Sequence, residues 1–429
     1  MANLQTLPYV DIQHDALDVF DDVSQLVTAQ ENVWVSCYKL GETSVHGKMT
    51  LSKQEEGVHG VGIKNSGGVE GERQSHVPLS INTADLSPDG SQLVYGGPDG
   101  YCYVHPLTTL NGDAKPRPPL ELKGHVGDVL DVKWFPSGSV VLTAAMDATI
   151  RIFSAESGIN PRTLKGHKRA VTSLDILGVG KNVVSGSKDG SIKLWDVSKG
   201  VCLTSIYTEG FAGVEKIATG QDAKVVSARL LGSGSIEGSF EPKHTDGEIV
   251  SDTGDKLLFA GLSSSAGNLS LYDLASKEPI LRTFPHVPLS TSSHTNYPAA
   301  ARGGAIHSIA YDADRYLLAS GSARGVVVVR DVRMLDKDGC GALHVFRRTE
   351  AAINDLAFVK SASSLSTIDL VMAPESGLPC RLGISADVGE PVTCVEEYAG
   401  WEPLSIESVS VGREGQVWVS GAEGGIRRY

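Results

Sequence analysis

His167, Ser185 and Asp189 are of the three residue types that make up a hydrolytic triad. A serine hydroxyl beside an imidazole that an aspartate orients can act as an acyl-transfer nucleophile. Two other segments suggest phosphate chemistry and fail on inspection. In Gly178-Val-Gly-Lys181, position 175 is Asp rather than Gly, and Asn182 stands where a phosphate loop needs Ser or Thr for magnesium. Gly232-Ser-Gly-Ser-Ile-Glu-Gly238 has one residue too many for a dinucleotide loop and lacks a strand-turn-helix setting. The 12 histidines form no His-x-x-x-His pair or Cys/His cluster, so neither metal nor cofactor is expected.

Whether the triad is chemical depends on the elements that carry it. The chain has 429 residues, 41% of them hydrophobic, with 48 glycines against 5 tryptophans, which suggests many turns between short strands. No window approaches the roughly 20 apolar residues of a membrane-spanning helix, and the N-terminus lacks the basic and apolar regions of a secretory signal. Six scattered cysteines make no disulfide framework, so cytoplasm or nucleus is the expected location. The net charge of -13 disfavours nucleic acid and anionic membrane as partners. Residues 1–60 hold nine acids against three bases, and so carry six of the thirteen net negative charges. Such a segment either solvates the chain or steers it toward a basic partner.

Aligning the chain with itself exposes a repeat. Lys123-Gly124-His125 recurs 42 residues later as Lys165-Gly166-His167, and Thr143, Asp147 and Phe153 recur at the same offset as Ser185, Asp189 and Trp195. In the second copy, Asn182–Ser187 reads as a half-buried strand and Lys188-Asp189-Gly190 as a hairpin turn, with glycine supplying a positive φ. Ser191–Trp195 then alternates polar and apolar residues.

The Gly-His start and Trp-Asp end resemble the WD-repeat family. The resemblance implies an all-β, seven-bladed WD40 β-propeller and a buried structural network of His167, Ser185, Asp189 and Trp195. The chemistry suits this: imidazole bridges a carboxylate and a hydroxyl, and indole can only donate. The family thus accounts for the triad residues without catalysis, and no enzyme is expected. Degraded copies appear around Ser87–Asp99, Leu257–Asp273, Leu317–Asp331, 350–397 and Val417–Tyr429. Because the last copy ends on a third strand, a strand from 58–75 is expected to complete it. Segments 107–120, 232–254 and 285–304 read as insertions.

Residues 1–57 do not follow the repeat. Glu31–Tyr38 and Ser44–Leu51 read as paired strands of a small N-terminal module, dispensable for folding of the propeller at 58–429. A closer resemblance rests on Val33-Trp-Val-Ser-Cys-Tyr38 with Ser44-Val-His-Gly47, on Gly124-His-Val-Gly-Asp-Val129 with Phe135-Pro-Ser-Gly138 and Met146-Asp-Ala148, and on Ile426-Arg-Arg-Tyr429. Together these are similar to the proteasomal ATPase-associated factor family of assembly chaperones for the base of the proteasome regulatory particle. That resemblance implies a monomer that binds the C-terminal domain of a proteasomal AAA-ATPase subunit. A rival reading is a cullin-RING ligase substrate receptor, since Arg330-Asp331-Val332-Arg333 matches a Trp-Asp-x-Arg signature except at its first residue.

In WD propellers the loops leading into the inner strands share a face with the hairpins that carry the network Asp. Here they present Asp128, Met146, Glu215 and Trp401-Glu402, with Asp355 near the same rim. The expectation is that Asp128, Asp355 and Glu402 pair with basic partner residues around a partly exposed Trp401.

Overall fold

The structure is a computed structural model that describes residues 4–12, 30–52, 62–64, 80–107, 118–221, 223, 226, 253–264, 267–287, 304–336, 341–359, 367–385, 390–398, 401, 404–422 and 424–429. Most of the three expected insertions lies outside these residues, and so does Glu402.

From residue 83 onward the described chain forms seven successive sheets. Blade one comprises Thr83–Leu86, Gln92–Gly96, Cys102–Pro106 and Leu120–Glu121. Blade two comprises Val129–Trp134, Val140–Ala145, Thr149–Ser154 and Arg162–Lys165. Blade three comprises Val171–Leu177, Asn182–Ser187, Ser191–Asp196 and Val201–Tyr207. Blade four comprises Val214–Gln221, Lys256–Leu262, Asn268–Asp273 and Glu278–Pro285. Blade five comprises Ile306–Asp312, Leu317–Ser322, Val326–Asp331 and Ala342–Arg347. Blade six comprises Ile353–Val359, Thr367–Pro374, Cys380–Ser385 and Thr393–Tyr398, and blade seven Ile406–Val411, Val417–Gly421 and Ile426–Arg428.

The first strand of each blade packs on that of the next, and Ile406–Val411 packs on Thr83–Leu86, so the first strands close into a ring. The sequence favours this because the second strands are apolar or small on both faces. Asn182–Ser187 and Leu317–Ser322 are buried throughout, each lying between two neighbouring blades. Leu177, Val184 and Leu194 of blade three, for example, pack with Val214, Ile217 and Leu258 of blade four. Glycine permits the close approach: a Cβ on Gly186 would come within 2.6 Å of Val214 Cγ1. Such interdigitation is what removes apolar area from water.

Side chains also bridge the blades. Asp85 accepts from the Trp134 backbone N–H at 2.8 Å, Asp131 from Leu174 at 2.7 Å and Asp175 from Thr219 at 2.7 Å. Between blades seven and one, Ser408 and Ser410 accept from the backbone N–H groups of Ala84 and Leu86, both at 3.3 Å.

The strand expected to complete the last blade lies elsewhere. Gly62–Lys64 runs parallel to Glu396–Tyr398 as a fifth strand of blade six. The outer strand Thr393–Tyr398 of blade six has a free edge, and a short strand can add to any such edge by backbone pairing alone, which no side-chain pattern in 58–75 specifies. Blade seven has three strands among the described residues.

The range 1–57 divides in two. Tyr9–Ile12, Gln30–Tyr38 and Val45–Ser52 form their own antiparallel sheet. Leu4–Thr6 instead pairs parallel with Val345–Arg347 as a fifth strand of blade five, and Leu7 is buried in the core between blades five and six. The Gln5 side chain donates to Val392 O at 2.8 Å and accepts from Val392 N at 2.9 Å, while the Arg348 guanidinium donates to Pro8 O at 3.2 Å.

Candidate protein-interaction face

In blade three, His167 Nδ1 lies 3.0 Å from Asp189 Oδ2 and Nε2 lies 2.8 Å from Ser185 Oγ. Trp195 Nε1 donates to the same Ser185 Oγ at 2.8 Å. One tautomer satisfies every group: indole N–H to serine oxygen, serine O–H to Nε2, and Nδ1–H to the carboxylate. Burial pushes the His167 imidazole below its ordinary pKa, against the opposing pull of Asp189. The Asp189 carboxyl is held down to about 2 because hydrogen bonds from Ser191, the Lys168 backbone and His167 outweigh its partial burial. Ser185 has no exposed surface, so its hydroxyl meets no substrate.

Blade two repeats the geometry. His125 reaches Asp147 at 3.0 Å and Thr143 Oγ1 at 2.7 Å, with Phe153 in place of the indole. A Gly-His loop, a network acid in the next hairpin and an aromatic strand end thus recur as one unit in consecutive sheets. A family model described as "WD domain, G-beta repeat" matches residues 117–154 and 158–196, each running from the outer strand of one blade through the first three strands of the next, blades two and three. This is a WD-repeat β-propeller.

Several proteins are similar to part of this chain. The SIR4-interacting protein SIF2 of Saccharomyces cerevisiae is 29% identical over 31% of this chain and 26% of its own length. Eukaryotic translation initiation factor 3 subunit I of Saccharomyces cerevisiae is 34% identical over 20% of this chain and 25% of its own length. Pre-mRNA-processing factor 19 of Mus musculus is 32% identical over 32% of this chain and 27% of its own length. The chain therefore spans about a quarter of the length of these relatives.

On one face of the WD propeller, six of the seven inner strands carry a register irregularity at the same place. The extra residues are Leu130, Thr172, Glu215, His307, Asn354 and Glu407, and all six line one cavity of about 170 Å³ at the mouth of the central channel. A bulge turns a side chain out of the ladder, so the fold aims one residue from each of these strands at the axis. The wall is polar, with the carboxylates of Glu215, Asp355 and Glu407 beside Lys216 and His307. Burial raises the pKa of Glu407, and Lys133 stays charged because Asp131, Asp85, Asp355 and Asp175 surround it.

The propeller brings the sequence-predicted residues to this face but assigns them differently. Asp128 Oδ1 accepts from the Asp99 backbone N–H at 3.1 Å, bracing the turn of blade one. Glu215 pairs with Lys188. Asp355 bonds to Val409 N at 3.0 Å and Ser408 Oγ at 3.3 Å, bridging blades six and seven. These carboxylates already have partners within the chain. Met146 stands free and 54% exposed.

Trp401 is the clearest correction. It is 1% exposed and packs with Tyr398, Ile406, Val409 and Val419, its ring against Gly421 and below the Arg427 guanidinium. A Gly-Trp-Glu-Pro loop predicts some exposure for the indole. The glycine at 421 leaves a slot between blades six and seven that the ring fills, and only tertiary packing creates that slot. Glu402 cannot be placed, lying outside the described residues.

Sequence reasoning missed Val126, Tyr207 and Phe211, which are exposed on this face, together with Lys168 and Arg169. A signal existed: Gly210-Phe211 stands where blades two and three begin with Gly-His.

Proposed function

We propose that this WD-repeat propeller is a protein-binding scaffold that chaperones assembly of the proteasome regulatory-particle base by holding the C-terminal domain of a proteasomal ATPase subunit. The observation that carries the reading is the unit outside the repeats. Val33–Tyr38 and Ser44–Gly47, the segments that resemble the proteasomal ATPase-associated factors, lie within one antiparallel pair held beside blades five and six by the clasp of residues 4–8. A plain WD scaffold has no need of this addition. The relatives add class-level support, since SIF2 is by its name a protein that interacts with another protein. The working location is cytoplasm and nucleus, and the free chain is a monomer.

A second reading, a cullin-RING substrate receptor, is favoured by one observation. Arg333 is half-exposed and held in a bidentate pair by Asp331, with bonds of 3.0 and 2.7 Å. Against it, Arg330 in the tryptophan position is fully buried and donates to the carbonyls of Pro285 and His286. Co-purification decides between them. Recovery of proteasomal ATPase subunits supports the first reading, and recovery of the ligase adaptor, lost on Arg333→Ala, supports the second.

A further inference from the structure

Blades two, three and four present equivalent loops side by side on the channel face. In blades two and three the loop residue after glycine is the network histidine, which is buried. In blade four that position is Phe211, and it is 68% exposed. The inward role is absent there, because the sequence Ser263-Ser-Ser-Ala-Gly267 between the second and third strands of blade four contains no acid to receive an imidazole. Phe211 nevertheless has a φ of 53°, a conformation that a bulky side chain adopts only under strain. The loop is held in that shape. Thr208 Oγ1 donates to Ala212 O at 2.6 Å and the Thr208 backbone N–H to Gly190 O at 3.0 Å, and a Cβ on Gly190 would come within 2.5 Å of Phe211 O. The edge of Tyr207, itself 58% exposed, supports the ring at 5.7 Å.

Two blades away, Val126 is 85% exposed, and the next residue, Gly127, lies against Met146. Between these apolar points lie Lys168 and Arg169; Lys168 holds in blade three the position of Val126 in blade two, since the backbone N–H of each of these two donates to its network aspartate. Among the described residues neither Lys168 nor Arg169 has a carboxylate partner, and the Arg169 guanidinium reaches the Lys188 carbonyl at 3.3 Å. Lys188 is neutralised by Glu215, and Glu209 receives the Thr283 hydroxyl at 3.1 Å. Glu209 and Asp128 stay charged while accepting bonds from within the chain, so the side chains that this arc turns outward without such an anchor are aromatic, aliphatic and cationic.

We infer that the arc Val126–Met146–Lys168–Arg169–Tyr207–Phe211 is a docking surface for an amphipathic segment whose polar side is acidic. Phe211 and Met146 supply apolar anchors, and the two cations between them select for carboxylates. This deepens the proposed function: it rests on the channel face being the partner face, and it names the chemistry of the partner's contact segment as acidic rather than basic.

The test uses the full-length chain and two labelled amphipathic peptides with the same leucine pattern, one carrying glutamate and the other lysine at its polar positions. In fluorescence anisotropy the glutamate peptide should bind at least roughly tenfold more tightly than its lysine twin. Phe211→Asn, which tolerates the left-handed backbone, and the double variant K168E/R169E should each weaken the glutamate peptide by a similar factor with unchanged melting temperature. The double variant should also strengthen binding of the lysine peptide. Failure of the glutamate peptide to bind, equal affinity for the two peptides, or indifference to Phe211→Asn overturns the inference. The same variants tested against isolated ATPase C-terminal domains separate the two claims. Binding to wild type that survives both variants overturns the docking surface and leaves the proposed function standing. Absence of ATPase binding with the peptide discrimination intact does the reverse.

Discussion

The buried carboxylate of Asp131 in blade two accepts a hydrogen bond from the backbone N–H of Leu174 in blade three, at 2.7 Å. The inner strands of a propeller are not joined to one another by backbone ladders, so a side chain must satisfy the amides that face across the gap. Asp131 also lies 3.6 Å from Lys216 and among the carboxylates that keep Lys133 charged.

Asp131→Ala should therefore leave a buried N–H unpaired and cost about 1–3 kcal/mol. Asp131→Asn, which keeps an acceptor oxygen, should cost less. Urea unfolding of the two variants checks the order, and equal midpoints would contradict the bridging role.

The network of blade three makes a parallel prediction. His167→Ala removes the centre of a four-residue chain and leaves Asp189 and Ser185 each short of a partner, at a cost of about 1–3 kcal/mol. Trp195→Phe, the arrangement that blade two already has in Phe153, removes one donor and should cost less. A His167→Ala midpoint equal to that of the parent would show the network to be idle.

Acid stability should depend on His286. Burial, reinforced by the neighbouring Arg330 charge, pushes its pKa down from 6.5 to about 3. Between those values the unfolded chain binds a proton that the native one refuses, so this contribution is intact above pH 6.5 and declines as pH falls toward 3. One such group gives a slope of about 1.4 kcal/mol per pH unit in that window. The depressed values of His125 and His167 act in the same direction. Asp189, held at about 2, contributes stability that is lost only below its ordinary 3.8. Urea midpoints from pH 7 to pH 4 should fall for the parent and fall less steeply for His286→Asn.

The clasp formed by the N-terminal residues is also testable. Arg348 and Glu397 form a buried ion pair, and the same guanidinium holds Pro8. Arg348→Met alone strands a buried carboxylate and should cost about 3–5 kcal/mol. The double variant R348M/E397L should recover much of that loss. Deleting residues 1–8 removes the strand on blade five and the buried Leu7, worth about 1.5–3 kcal/mol for the side chain alone. That deletion should lower the melting temperature, against the expectation that the whole of 1–57 is dispensable for folding.

The repeat and its network could be read from the amino-acid sequence because they are local. His167, Ser185, Asp189 and Trp195 lie within 30 residues, and strand alternation with tight turns fixes their meeting within one sheet. The all-β class and the positions of the degraded blades follow from the same short-range periodicity. What the tertiary structure decided concerns contacts across blades. Trp401 is buried because Gly421 leaves a slot for its ring, and Asp355 is engaged because Val409 presents an amide 54 residues later. Leu4–Thr6 and Gly62–Lys64 add to blades five and six, backbone pairings between segments far apart in the sequence that no local pattern marks. The sequence determines which side chains can accept, donate or pack. Which of them remain free at the surface depends on neighbours brought together when the ring closes, and that closure left Phe211 and Met146 exposed while it engaged the carboxylates.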